Sequence, residues 1–220
     1  MGENMKKIIF TTIVFILVFL IYFFNINEKI YYVSLGDFLS YGINNFNKIE
    51  NSYSENIKKY YEFNLENYVN YSLVDDYRVV DLINDINYNK EIIYKNKKYK
   101  LQNLLIKANY MTLSIGMNDL IYKKNLTYNY VDQLLIEIDN LFKLIRKYNK
   151  DTINFLSFYN SINNIEIIEY SNKRIKKICE RNDINYIDIS NLNSYIIKDL
   201  YPTNSGYMYI TNQILNFTKK

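Results

Sequence analysis

Tyr31-Tyr-Val-Ser-Leu-Gly-Asp-Phe-Leu-Ser-Tyr-Gly42 reads as a short apolar run, a glycine turn followed by an acid, and the opening of a loop or helix. In α/β proteins the C-terminal ends of strands are where ligands and catalytic groups collect. Gly36 lets the backbone turn tightly, which presents Asp37 and Phe38 at the strand tip.

Two later stretches share this grammar. Leu113-Ser-Ile-Gly-Met-Asn-Asp-Leu120 follows an apolar run, and Asp199-Leu-Tyr-Pro-Thr-Asn-Ser-Gly-Tyr207 precedes the last helix. Between and beyond them, strand-like and helix-like segments alternate, which predicts a parallel sheet covered on both sides. In this order and at these distances, the three stretches resemble the motif blocks of the SGNH, or GDSL, hydrolases. That is a group of esterases and carbohydrate deacetylases with a Ser-His-Asp triad on a flavodoxin-like sheet. The resemblance covers about residues 30–220, and its most specific parts are Gly116-x-Asn118-Asp119 and Asp199-x-x-Pro202-x-Asn204-x-Gly206-Tyr207. It implies a three-layer α/β/α domain over residues 31–220 with about five parallel strands.

The same resemblance locates the departures. The family's nucleophilic serine falls on Phe38 and its catalytic histidine on Tyr201, and the chain contains no histidine at all. The triad aspartate carries over as Asp199, which is left to meet Tyr201 through a hydrogen bond to the phenol. Gly36, Asp37, Gly116 and Asn118 are the pocket and oxyanion candidates, with Asn118 as the side-chain donor. Asn118 also has a structural reading, as a turn residue satisfying nearby backbone groups. Where the family has a second oxyanion glycine, this chain reads Val74-Asp75-Asp76-Tyr77, and an acid there opposes developing negative charge. Phe38 reads either as a pocket filler or as a ring on which a sugar stacks.

Hydrophobic residues at 49% and charged residues at 23% are globular values over 220 residues, enough for one well-packed domain. With 25 Tyr, no Trp and one Pro, the skew fits an AT-rich, bacterial genome. A net charge of +4 is too mild to argue for nucleic acid or acidic lipid. One cysteine excludes an internal disulfide, and with no histidine no metal site or other cofactor is expected. Cys179 recurs at helical spacing with Ile168, Ile175 and Ile178, a packing role.

Ahead of the domain, Lys6 and Lys7 precede an uncharged run from Ile8 to Phe24. As a helix it spans about 25 Å, near the lower limit for a bilayer core. The lysines place residues 1–7 in the cytoplasm, 8–24 in the membrane as a single-pass signal anchor, 25–30 as a linker and the rest outside the cell. No small residues mark a cleavage site near Phe23-Phe24-Asn25.

Along the domain the pattern predicts strands at Lys29–Leu35, Val69–Leu73, Tyr110–Ile115, Ile153–Phe158 and Ile184–Ile189. Helices are expected from Ser54 to about Tyr68, then Arg78–Ile86, Leu101–Lys107, Val131–Tyr148, Ile165–Glu180 and Asn204–Phe217, with a hairpin turning at Asn96-Lys97.

A serine hydroxyl needs an adjacent base, and Ser40, past the turn, has no imidazole to activate it. Tyr201, a phenol, is a poor base near neutrality. Two functions follow. One is an inactive, membrane-anchored module that binds a cell-envelope glycan, an acyl ligand or a protein. The other is a working ester hydrolase or deacetylase with a non-standard site, for example one pairing Asp37 with Asp199.

Overall fold

The computed structural model describes residues 2–26, 29–43, 52–73, 76–160, 164–196 and 201–218. The chain opens with a helix, α1 (Glu3–Ile26). Along its middle, large apolar side chains such as Phe10, Phe15 and Val18 are more than half exposed, outside the core of the domain. Its side chains are described from Lys7 to Leu20, about 20 Å of rise at ~1.5 Å per residue. Among the described residues, no helix is long and apolar enough to cross a membrane.

The first strand, β1 (Ile30–Gly36), leads into a one-turn helix, α2 (Phe38–Tyr41). Next come α3 (Tyr53–Tyr60), β2 (Leu65–Ser72) and α4 (Val79–Asn87). A hairpin of β3 (Glu91–Tyr94) and β4 (Lys97–Lys100) runs into α5 (Leu101–Lys107). The second half comprises β5 (Tyr110–Ser114), α6 (Met117–Ile121), α7 (Tyr128–Tyr148) and β6 (Thr152–Leu156). It ends with α8 (Ile165–Arg181), β7 (Asn185–Ile187), a 3₁₀ turn at Ser190–Tyr195 and α9 (Asn204–Thr218).

Five strands form one parallel sheet in the order β2-β1-β5-β6-β7. This is the flavodoxin-like order, with helices α4, α7 and α8 packed along one face and α3 against α9 on the other. Being covered on both sides, β5 is buried at every residue, and β1 is buried from Tyr32 onward. The helices follow from local chemistry. Thr127 caps α7, its hydroxyl accepting from the Tyr130 N–H, and Arg146 and Lys147 complement the dipole in the last turn. Val131, Leu134, Ile138, Leu141 and Ile145 make its buried face. Asn149 then ties α7 to α5 by donating to the carbonyls of Leu105 and Ala108.

Two neighbouring expected boundaries are corrected. The helix expected to reach Tyr68 stops at Tyr60, and the strand expected from Val69 begins at Leu65. A turn closes the helix, with the N–H of Asn64 donating to the Tyr61 carbonyl, and the Asn64 carbonyl then accepts from Ile30 as β2 begins pairing with β1.

Candidate functional site

In this strand order the chain leaves β1 for β2 on one side and later returns to β5 on the other. The crevice above the C-terminal ends of β1 and β5 is therefore the topological switch point, where open α/β sheets bind ligands. Gly36 ends β1 with φ of +147°, and a Cβ there would lie 1.8 Å from the Ser114 carbonyl oxygen. No other residue fits so close to β5. The Asp37 N–H donates to that same carbonyl at 2.8 Å, so the two strand tips are stitched together.

Asp37 is fully buried and caps α2. Its Oδ1 accepts from the Leu39 N–H at 3.2 Å and from the Ser114 hydroxyl at 2.9 Å. Its Oδ2 is buried with no hydrogen-bond partner among the described residues. Burial pushes the Asp37 carboxyl up to about 7, against the pull of its hydrogen bonds, and the charge of Asp119 adds to the rise. Asp119 is likewise pushed up to about 7 by burial, and its Oδ2 accepts from the Val79 N–H at the start of α4.

Phe38 is 2% exposed and meets the ring of Tyr201 edge-on, with centroids 5.3 Å apart and planes at 89°. The two positions that resemble the nucleophile and the histidine are thus brought together, but as a packed aromatic pair. Fully buried Tyr159 stands beside them, its hydroxyl pushed far up by burial and then by the charge of Asp37. Tyr207 donates its hydroxyl to the Ile43 carbonyl at 2.6 Å.

The other candidates divide. Gly116 turns the chain after β5 at φ of +105°, where a Cβ would press on the Phe158 ring at 2.9 Å. Asn118 is buried and its Nδ2 donates to the Tyr77 carbonyl at 3.0 Å, so it holds the segment leading into α4. Ser40 is buried too, its hydroxyl bonded to the Leu35 carbonyl and to the Tyr53 hydroxyl. Asp76 sits at the surface in an ion pair with Arg78, 2.7 Å from its Nε. Asp75 and Asp199 lie outside the described residues.

Ser114, Asp119 and Tyr159 were missed as site residues in the sequence. Ser114 stands inside the quoted Leu113–Leu120 stretch, and its place before the glycine turn was the available signal. As it stands, the crevice presents rings, two buried acids raised towards neutrality, Asp37 and Asp119, and a buried serine hydroxyl donating to Asp37. Among the described residues there is no cluster of three or more metal-ligating side chains.

No family model matches the sequence, and no curated protein matches it. Solved structures do. A member of the lipolytic protein G-D-S-L family from Veillonella parvula aligns with a TM-score of 0.64 at 13% identity, over 86% of this chain and 98% of that one. The lipase/acylhydrolase from Enterococcus faecalis gives 0.63 at 14%, over 87% and 95%. A catalytic mutant of an acetylxylan esterase from Geobacillus stearothermophilus gives 0.62 at 15%, over 86% and 93%. At such identities the shared property is the architecture, and it spans nearly the full length of each. The chain is built on the fold of the SGNH, or GDSL, hydrolases.

Proposed function

We propose that this chain is a non-hydrolysing SGNH-fold protein, held at the membrane by α1 with its domain outside the cell. In this reading it binds a cell-envelope glycan, an acyl group or a protein. The observation that carries the loss of hydrolysis is Phe38, buried where the nucleophile belongs and packed edge-on against Tyr201 at the histidine position. Without a hydroxyl and an imidazole at those places, the orders of magnitude that a triad supplies are unavailable. Anchoring is supported by the apolar side chains that α1 leaves exposed and by the uncharged run to Phe24.

The full chain in mild detergent, assayed on p-nitrophenyl acetate and butyrate and on acetylated sugars, is expected to turn over no faster than buffer. A fluorophosphonate probe is expected to leave it unlabelled. The Phe38→Ser/Tyr201→His variant restores the missing groups. It is expected to raise ester turnover at least about tenfold over background, since it puts a hydroxyl and an imidazole at two positions that already meet, beside the strand tip that the Asp37 N–H ties to β5. Turnover by the unaltered chain would overturn the proposal.

One observation favours a second reading, a hydrolase with a non-standard site: the Asp37 carboxyl, raised to about 7, titrates where a general base works. Its burial at 0% exposure argues against contact with substrate. Turnover that disappears in Asp37→Asn would establish it.

A further inference from the structure

In a parallel sheet every strand starts on one edge, and the connecting helices end there. In this domain that edge is close in the chain to α1. Ile26 ends α1 and Ile30 begins β1, four peptide steps apart and so at most about 15 Å. Thr152, which starts β6, lies two strands from β1, about 10 Å further at ~4.8 Å per strand.

Bases collect on this edge. Lys58 and Lys59 lie in the last turn of α3, Lys107 in that of α5, and Arg181 in that of α8. Single cations there are the ordinary complement of helix dipoles. The cluster where α7 and α8 end goes beyond that. Lys143, Arg146, Lys147, Lys150 and Arg181 line a shallow depression of about 420 Å³ in which Asp183 is the one carboxylate. Arg146 is committed to backbone carbonyls, including those of Asn182 and Asp151. Asp139 neutralises part of the remainder, pairing with Lys143 at 2.7 Å and Arg181 at 3.1 Å. Lys147 has no ion pair among the described residues, and Lys150 bonds only a carbonyl, that of Arg146. Exposed Asp151, just after α7, and Glu180, in the last turn of α8, are the other acids at these helix ends, so what the cluster offers is the ammonium groups of Lys147 and Lys150 rather than a large net charge.

We propose that this edge rests on the bilayer surface and that the α7–α8 cluster binds the phosphates of anionic lipids. The inference rests on the anchoring proposed above. Each lysine near an anionic surface favours contact, and a tether a few residues long keeps the cluster within reach of it. The opposite ends of the strands, with the Phe38–Tyr201 crevice, then face away from the membrane. The crevice's ligand arrives from the aqueous side.

The test uses the full chain reconstituted into phosphatidylcholine vesicles, with or without about 30% phosphatidylglycerol. Surface lysines are acetylated with a water-soluble reagent and read by mass spectrometry. Modification of Lys147 and Lys150 is expected to fall at least about threefold in the anionic vesicles and to recover at high salt. Exposed Lys124, between α6 and α7 at the crevice end, is expected to be unchanged. Flotation with the neutral vesicles tests the anchor separately. A chain that floats with them yet shows equal lysine modification in both membranes overturns this inference alone. A chain that floats only with the anionic vesicles, in a salt-sensitive way, loses the anchor but keeps the basic face. A chain that floats with neither overturns both.

Discussion

Asp37 is the side chain at which burial and charge conflict most directly. An ionised carboxylate that is fully buried with one oxygen unpartnered among the described residues is costly, so the fold prefers the proton, and the carboxyl is raised to about 7 from an ordinary value of 3.8. Linkage fixes the sign. The folded chain holds the proton more tightly than the unfolded chain, so the stability from this group is full below about pH 4. It is lost as pH rises towards 7, by about 4 kcal/mol at most for a shift of this size. Asp119, also raised to about 7, bends the profile in the same direction. Asp37→Asn keeps an acceptor for Ser114 and Leu39 but cannot ionise. Urea unfolding at pH 5 and pH 8 is expected to show the unaltered chain losing stability with pH, and the variant losing less of it. The variant should be the more stable of the two at pH 8; an equal pH slope in the two proteins would mean that Asp37 is solvated. The sequence singled out Asp37 from its place after a glycine turn. Its environment was not legible there, because the groups that act on it or stand beside it come from two distant stretches: Ser114 and Asp119 at and after the end of β5, and Tyr159 after β6.

Elements were legible where period and punctuation agreed. Leu101–Lys107 emerges with the bounds its pattern predicts, and α7 starts only slightly ahead of its apolar face, at the turn that Thr127 caps. The region from Ser54 to Tyr68 misled because Ile57, Tyr60, Tyr61 and Leu65 fit a helical stripe with no glycine or proline to break it. The pairing of Leu65 with Ile30 decided the matter, a partner 35 positions earlier that periodicity cannot reveal. The hairpin expected around Asn96-Lys97 forms with Lys95 and Asn96 in its turn, at φ of +48° and +62°. Two successive left-handed residues are the geometry of a type I′ turn, which Asn-Gly suits and Lys-Asn tolerates at some strain. Lys95→Asn/Asn96→Gly is therefore expected to stabilise the protein by about 0.5–1 kcal/mol, seen as a higher urea midpoint at unchanged slope. A lower midpoint would mean that the Lys95 ammonium, 5.3 Å over the Tyr94 ring, contributes more than the backbone strain costs.

At the scale of the whole molecule, the sheet order was legible only through the motif stretches, since nothing in local pattern says which strands are neighbours. What local pattern did convey was that helices with one apolar face must close on a shared core, and Cys179 reports on that closure. It is fully buried in α8 beside Ile175, and burial pushes its thiol well above the usual range. Reaction with a maleimide then requires α8 to leave the sheet. Because α8 packs on α7, and α7 on α4 and α5, that departure should be part of global unfolding rather than a local opening. A domain of ordinary stability holds its unfolded fraction below about 10⁻³, so labelling in native buffer is expected at least about 10³-fold slower than in the urea-unfolded chain. The logarithm of that rate should rise linearly with urea at the slope of the equilibrium transition. A rate that ignores urea, or that comes within tenfold of the unfolded chain's, would show α8 opening by itself. Arg181, the one base that α8 contributes to the basic cluster, would then ride on a helix with its own equilibrium, separate from the lysines on α7.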